Sequence, residues 1–329
     1  VSKSRIHQSR LFTDDHSVLD ATLRDAGYLN DWAFSRESVF EVVRNVALTG
    51  VEAIEVGYLS DNPERPVAAR CDADLLYALH EHTGSTSNLA AMISLSEPDP
   101  ERLFASRREV LDLVRIPTTI EQLPQALQVA EAAAKYDIAA SLNLVNISTL
   151  LPEQFITVAE QVKHSGVVDI FYLADSRGAC RPEDVRAIVG IVREHWDGLF
   201  GFHAHDNTGF ASVNPLMALA AGCQLVDGTV RGLGLGSGNT KLQHAMSLVL
   251  QYEADKPYQF APLDELRQFD VAMPAEKSYL YYLVGAKNIA QLWVEPLMER
   301  YGEQAAQHLQ GIPRKPYTHF EQVIQEIEA

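Results

Sequence analysis

The sequence predicts an α/β fold, a (β/α)8 TIM barrel with a C-terminal helical extension. Short β-rich runs alternate with longer helical patterns from residue 18 to residue 252, the rhythm of βα units around a parallel sheet. Eight such units occupy about 235 residues, the size of this barrel. A glycine cluster follows the last strand, whereas the competing open doubly wound sheet carries its dinucleotide fingerprint after the first.

The first strand is read as Val18 to Arg24. Its helix is capped by Ser35, presents Val39, Val42, Val43 and Val46 at helical spacing, and stops at Gly50. Val51 to Gly57 is the second strand, followed by a helix after Asp72 that ends near Gly84. Leu89 to Leu95 is the third, with a helix starting near Pro100, and Leu111 to Ile116 the fourth, with the helix Ile120 to Tyr136. Ile138 to Val145 and Val167 to Ala174 are the fifth and sixth; Pro152 and Pro182 open the helices after them, where a missing N–H costs nothing. Leu199 to His205 is the seventh and Leu225 to Val230 the eighth, trailed by the glycine loop and the helix Lys241 to Tyr252. Residues 18–252 are therefore read as the catalytic barrel and 253–329 as helices packed on it, closing it or making a dimer contact. In the latter, Tyr279, Tyr281 and Tyr282, then Trp293, Leu297 and Met298, give two apolar stripes.

With 329 residues, 47% of them hydrophobic, the chain can bury a large core. Lysine plus arginine number 27 against 44 acidic residues, a net charge of −17 that argues against nucleic-acid or anionic-membrane partners. A small metal-chelated anion remains compatible. Cys71, Cys180 and Cys223 are scattered and read as free thiols of a reducing compartment. Residues 1 to 18 carry no apolar run and no later stretch is apolar enough to span a bilayer, so a cytoplasmic location is expected.

The chemistry concentrates at strand ends, where such barrels build their sites. In Gly201-Phe202-His203-Ala204-His205-Asp206-Asn207 the two histidines stand two apart on a strand and so share a face. A lone histidine would be read as a satisfied core residue; two in register can grip one ion. Near the N-terminus, Leu19-Asp20-Ala21-Thr22-Leu23-Arg24-Asp25-Ala26-Gly27 begins as a strand and ends in a small-residue turn. Parity would put Asp20, Thr22 and Arg24 on one face, with Asp25 where the strand stops; a surface ion pair is the alternative. Closure of the barrel makes the eighth strand a neighbour of the first, so Asp25, His203, His205 and Asn239 converge. Glu55, Arg115, Asn143, Asp175 and Ser176 decorate other strand ends. Asp175 and Asp227 are read as scaffolding. The loop Gly232-Leu233-Gly234-Leu235-Gly236-Ser237-Gly238-Asn239 is read as backbone passing close to a metal centre rather than as a phosphate cradle, because it ends on a ligand-capable amide.

Taken together, Thr22-Leu23-Arg24-Asp25, the HAHDN run, and Asp227-Gly228-Thr229 with Gly238-Asn239 resemble the DRE-TIM metallolyase superfamily, also called HMG-CoA-lyase-like. Ile54-Glu55-Val56-Gly57, Val114-Arg115-Ile116 and Ala174-Asp175-Ser176 support the resemblance over residues 18 to 252. It implies a divalent metal held by Asp25, His203 and His205, with Asn239 a further ligand. It also implies that Arg24 stabilises an enolate and that Ser176 holds the carboxylate of a 2-oxo acid. Glu55, Arg115 and Asn143 are carried as further substrate-binding candidates.

Departures select the branch. Acyl-CoA-condensing members continue the motif as Arg-Asp-Gly-Glu-Gln, whereas this chain reads Arg24-Asp25-Ala26-Gly27-Tyr28, and HMG-CoA lyase has a cysteine in its glycine loop that is absent here. Pyruvate aldolases place a catalytic His where this chain has Tyr28. The run LRDAGYLNDW is most similar to 4-hydroxy-2-oxovalerate aldolase-like proteins. The expected activity is a metal-dependent aldolase or lyase joining or cleaving a C–C bond next to a 2-oxo acid, with Arg24 and Tyr28 catalytic, an aldehyde as the other small-molecule partner, and a homodimer as the assembly. Mn or Mg is the expected metal, with Zn or Co as alternatives. A Claisen-type acyl-CoA/2-oxo acid synthase and a non-catalytic metal-binding barrel are the rival readings; amidohydrolase-type barrels carry their HxH on the first strand.

Overall fold

Strands β1 (Ser17–Asp20), β2 (Ala53–Leu59), β3 (Asn88–Ile93), β4 (Leu113–Thr118), β5 (Ala139–Leu144), β6 (Ile170–Asp175), β7 (Leu199–Ala204) and β8 (Leu225–Gly228) pair in sequence order, and β8 returns to β1. Every pairing is parallel, and Leu19 of β1 lies opposite Asp227 of β8. This computed structural model describes residues 12, 16–83, 87–269, 271 and 278–329. The eight-stranded barrel and the alternating helices are those the sequence predicts, apart from the first strand. Ser35 caps its helix by accepting from the Ser38 amide, and Pro152 and Pro182 begin theirs. The helix stop expected near Gly84 lies outside the described residues.

Period-two alternation divides the strand residues between two cores. Ile54, Val56, Val114, Ile116, Phe171 and Leu173 face the helices, while Ala53, Leu113, Ile170 and Leu225 fill the bottom of the barrel. One layer higher, two residues on along the strands, the interior is occupied by Glu55, Arg115, Tyr172 and Asp227, all buried. Gly201 makes room there, since a Cβ would fall 2.3 Å from the Tyr172 ring. A barrel interior is ordinarily packed with branched apolar side chains; this one becomes ionic halfway up.

The first strand is shorter than predicted. It stops at Asp20, and Thr22–Ala26 is a short helix, so Asp20, Thr22 and Arg24 do not share a strand face. The cause is local: the Asp20 carboxylate accepts the Thr22 amide at 3.1 Å and the Thr22 hydroxyl at 2.6 Å, capturing the N–H that would have continued the ladder.

Beyond the barrel, helices Ser278–Lys287, Val294–Tyr301, Ala305–Gly311 and Phe320–Glu328 gather a second core around Leu280, Val284, Leu297, Leu309 and Val323. The expected tyrosine stripe is split: Tyr281 is buried with Leu280, Leu283 and Val284, whereas Tyr279 and Tyr282 face outward and stack on each other. The leucines and Val284 already fill the inner face, leaving Tyr279 and Tyr282, three residues apart, on the outer row. This unit caps the C-terminal mouth of the barrel. Arg177, just after β6, donates to the carbonyls of Asn288 and Tyr317, Ser148 donates to Asn288 Oδ1, and Asn207 donates to Gln291 Oε1. All three cysteines are free and buried. Among the described residues no helix is long and apolar enough to cross a membrane.

Burial pushes the Asp20 carboxyl up to about 7. Between its unfolded value near 4 and that point the folded state holds a proton the unfolded chain has released, so this residue lowers stability as pH rises through the window. Asp20→Asn should therefore gain stability relative to the parent protein from pH 4 to pH 7, by at most ~1.4 kcal/mol per pH unit. Urea melts across that range would show a constant difference if Asp20 were ionised throughout.

Candidate metal centre

The site is built where the ionic layer meets the barrel mouth. Asp25 comes from the short helix after β1, His203 from the end of β7, and His205 from the residue just past it. His205 is held by an antiparallel bridge to Asn239, which folds the glycine loop back over the site. Two glycines there are steric necessities. A Cβ at Gly234 would lie 2.5 Å from the Asn239 amide, and one at Gly236 2.4 Å from Gln291 Oε1.

Among the described residues, Asp25, His203 and His205 form a group that could hold one cation, with ligand atoms all within 4.8 Å of one another and all three side chains buried. The chemistry of the donors fits a cation. Asp25 Oδ1, His203 Nε2, His205 Nδ1 and Asn239 Oδ1 are buried polar atoms without a hydrogen-bond partner, an arrangement costly unless something binds them. Asn239 also donates to Asp25 Oδ2 at 2.5 Å, which sets its amide beside the carboxylate.

Protonation states follow from the neighbours. Despite the burial that opposes it, the Asp25 carboxyl is held well below the usual range by Arg24, His205 and His203. Burial likewise works against the Asp227 carboxylate, but Arg115 and His203 together outweigh it, so its pKa is lowered. An ionised Asp227 can only accept, so His203 Nδ1, 2.9 Å away, must donate to it, which leaves Nε2 directed at Asp25, 3.2 Å away. Burial lowers His203, but the neighbouring Asp227 and Asp25 carboxylates prevail and raise it. Burial brings His205 down to about 4, so this imidazole is neutral with a lone pair to give.

Arg24 completes the constellation. Its guanidinium lies 3.1 Å from Asp25 Oδ2, and Nε donates to Glu55 Oε2 at 2.9 Å. Above these groups lies a cavity of about 220 Å³, lined by Arg24, Asp25, His203 and His205 on one side and by Met92, Pro117, Asn143, Val145 and Ser176 on the other. Tyr28 and Tyr58 line it too, and Ala290, Gln291 and Leu292 of the C-terminal unit cover it.

Of the residues singled out from sequence, Arg24, Asp25, Tyr28, Asn143, Ser176, His203 and His205 meet at this cavity, with Asn239 directly behind Asp25. Glu55 and Arg115 do not reach it: both are fully buried in the layer below, where Arg115 bridges Glu55 at 2.9 Å and Asp227 at 2.7 Å. With its amide oxygen turned toward the guanidinium, Asn143 accepts from Arg115 at 2.9 Å. Asp175 is scaffolding as read, accepting the amides of Ala179 and Cys180. Asp227 is more than that, because it fixes the His203 ring. Tyr58 escaped the sequence reading, which held Asn207 only as the end of the HAHDN run; Asn207 binds the Ser237 amide, the Arg177 carbonyl and Gln291, tying glycine loop to cap.

The family model described as HMGL-like matches residues 16–269. A 4-hydroxy-2-oxovalerate aldolase from Thermus thermophilus is 28% identical over 302 residues, covering 85% of this chain and 86% of that protein. One from Thermomicrobium roseum is 30% identical over 231 residues, 68% of this chain, so the match spans 63% of that relative's length. An oxaloacetate decarboxylase from Mycobacterium tuberculosis is 28% identical over 229 residues, 69% of this chain and 67% of that protein. Among solved structures, HMG-CoA lyase from Brucella melitensis shares the fold with a TM-score of 0.64 at 16% identity, covering 76% of this chain and 95% of its own.

Truncating Asp227 tests the arrangement. Asp227→Ala frees the His203 ring to turn and to change tautomer, and should weaken Mn2+ binding about 10- to 100-fold by calorimetry with all three ligands intact. Unchanged affinity would remove Asp227 from the site.

Proposed function

The chain belongs to the HMGL-like family, and from that premise we propose that it is a divalent-metal-dependent carbon–carbon lyase that cleaves or forms the bond beside a 2-oxo acid, with a 4-hydroxy-2-oxo acid as substrate. The observation that carries this is the meeting of Asp25, His203 and His205 with a fixed guanidinium, Arg24, at one small cavity. Asp25, His203 and His205 would hold the ion, with Asn239 in support; when bound it supplies a Lewis acid for the keto and carboxylate oxygens of the 2-oxo acid. Mn or Mg suits that role better than Zn or Co, because two substrate oxygens need open, oxygen-tolerant positions.

Arg24 contributes a cation that does not have to reorganise. Pinned by Asp25 and Glu55, it stabilises negative charge growing on the enolate oxygen more than it stabilises the neutral ketone. Ser176 has a hydroxyl at the cavity wall, suited to the substrate's carboxylate, and Asn143, its amide held by Arg115, lines the wall beside it. Tyr28 handles the proton at the bond being made or broken. Burial pushes its phenol above the ordinary value, with Arg24 working against that, so at neutral pH it carries its proton. It donates to an alkoxide in the bond-forming direction; in cleavage it takes the hydroxyl proton as its own proton passes on toward solvent.

A protonated Tyr28 also favours a second reading, decarboxylation of a 2-oxo acid bearing a carboxylate on C3, the activity in the name of the Mycobacterium tuberculosis relative. Loss of CO2 needs no base, only a proton for the resulting enolate.

Pyruvate release from 4-hydroxy-2-oxovalerate and from oxaloacetate by the Mn2+-loaded protein separates the two readings. Product formed only with an acyl-CoA would instead assign the chain to the synthases, and no turnover of any of these would leave a non-catalytic barrel. Arg24→Lys keeps the charge but loses the planar fork that spans Asp25 and Glu55. It should lower kcat about 100-fold or more with metal content preserved; near-normal turnover would take Arg24 out of the mechanism.

A further inference from the structure

Tyr28 does not face the cavity alone. Its hydroxyl lies 2.8 Å from that of Tyr58, near the end of β2, and both phenols line the cavity beside Arg24. Trp32 braces the two rings, packing edge-on at centroid distances of 4.7 Å from Tyr28 and 5.5 Å from Tyr58. The indole is itself fixed, because Nε1 donates to the Arg24 carbonyl at 3.1 Å. Asp31 and Trp32 both adopt left-handed backbone, with φ of 53° and 58°. Such conformations cost roughly 1 kcal/mol or more per non-glycine residue and persist where the surroundings hold them. Gly27 makes the close approach of the indole feasible, since a Cβ there would sit 2.1 Å from Trp32 Nε1. A glycine, two strained residues and an indole hydrogen bond thus converge on the geometry of one pair of hydroxyls.

Two phenols sharing one hydrogen bond have a hydrogen to spare. If Tyr58 is the donor, its proton lies between the oxygens and that of Tyr28 is left to point into the cavity. We propose that Tyr58 is a positioning residue for the Tyr28 proton and the second member of a two-phenol relay, an assignment that rests on the lyase reading above. In the protonation step the Tyr28 O–H bond breaks as its proton passes to the anionic substrate atom. The Tyr28 oxygen takes the proton of Tyr58, and half-buried Tyr58 takes one from water. No electrons leave the pair, and the net change is one proton from solvent to product; bond cleavage at a hydroxyl runs the same path backwards. Burial raises both phenols above their ordinary value, which keeps both protons in place at rest.

A tyrosine that merely filled space against Trp32 would act through its ring, and Phe would replace it without loss. The full-length Mn2+-loaded protein is compared with Tyr28→Phe, Tyr58→Phe and the double variant. Tyr28→Phe should lower kcat about 100-fold. Tyr58→Phe should lower it about 10-fold with KM and Mn2+ affinity unchanged, and the double variant should be no slower than Tyr28→Phe, because groups acting as a unit are not additive. A double variant slower by the product of the single effects, or a Tyr58→Phe protein as fast as the parent, would overturn the proposal. A second readout needs no turnover. In protein labelled with 13C at tyrosine Cζ, Tyr58→Phe should move the Tyr28 resonance, identified by its loss in Tyr28→Phe. An unmoved Tyr28 signal overturns the pairing whatever the kinetics. A moved signal in a protein that turns over no 2-oxo acid would uphold the pairing, and it is the lyase reading and the relay built on it that would fall.

Discussion

Six buried side chains close a ring inside the barrel, and the rest of the site depends on it. Asp25 meets Arg24 at 3.1 Å, Arg24 meets Glu55 at 2.9 Å, Glu55 meets Arg115 at 2.9 Å, Arg115 meets Asp227 at 2.7 Å, Asp227 meets His203 at 2.9 Å, and His203 returns to Asp25 at 3.2 Å. Ions in such surroundings are tolerated only when paired, and removing one partner of a buried pair typically costs about 3–5 kcal/mol because the other is left uncompensated. The ring links β2, β4, β7 and β8 with the helix after β1, so the strand register that builds the barrel also aligns the charges. Three carboxylates face two guanidiniums, an excess of one negative charge that a proton on His203 would offset. A divalent cation at its top would complement that excess.

The same ring explains why so few groups touching the cavity are free to move. Arg24 is held from two sides, His203 by Asp227, and Asp25 by Asn239. Arg115 also lies over the Tyr172 ring at 4.5 Å from its centroid. Orientation is thus established before a substrate arrives, the condition under which fixed charges stabilise a transition state without reorganisation. The mouth above is covered by Ala290, Gln291 and Leu292, in a segment joined to the barrel by polar contacts that include those of Arg177, Asn207 and Ser148.

Much of this was legible in the sequence for identifiable reasons. The alternation of βα patterns gave the barrel, and the parity of His203 and His205 gave one wall of the candidate metal centre, because both signals are local. Closure then placed Asp25 and Asn239 beside them. What was not legible depends on relations between strands. Asp227 reads as scaffold until the register sets it under His203, and Glu55 and Arg115 read as substrate ligands until their height in the barrel is known. Tyr58 stands just past the predicted strand end and carries no pattern of its own; only its 2.8 Å contact with Tyr28 singles it out. The missed helix at Thr22–Ala26 turns on a single side chain, Asp20, competing for a backbone amide.

Anomalous diffraction from crystals soaked in Mn2+ tests the central claim most directly. The account requires one strong peak about 2.0–2.4 Å from donor atoms of Asp25, His203 and His205, with the His203 ring still bonded to Asp227. A peak bound elsewhere, or a soaked crystal whose three side chains keep their buried donor atoms unpartnered, would contradict it.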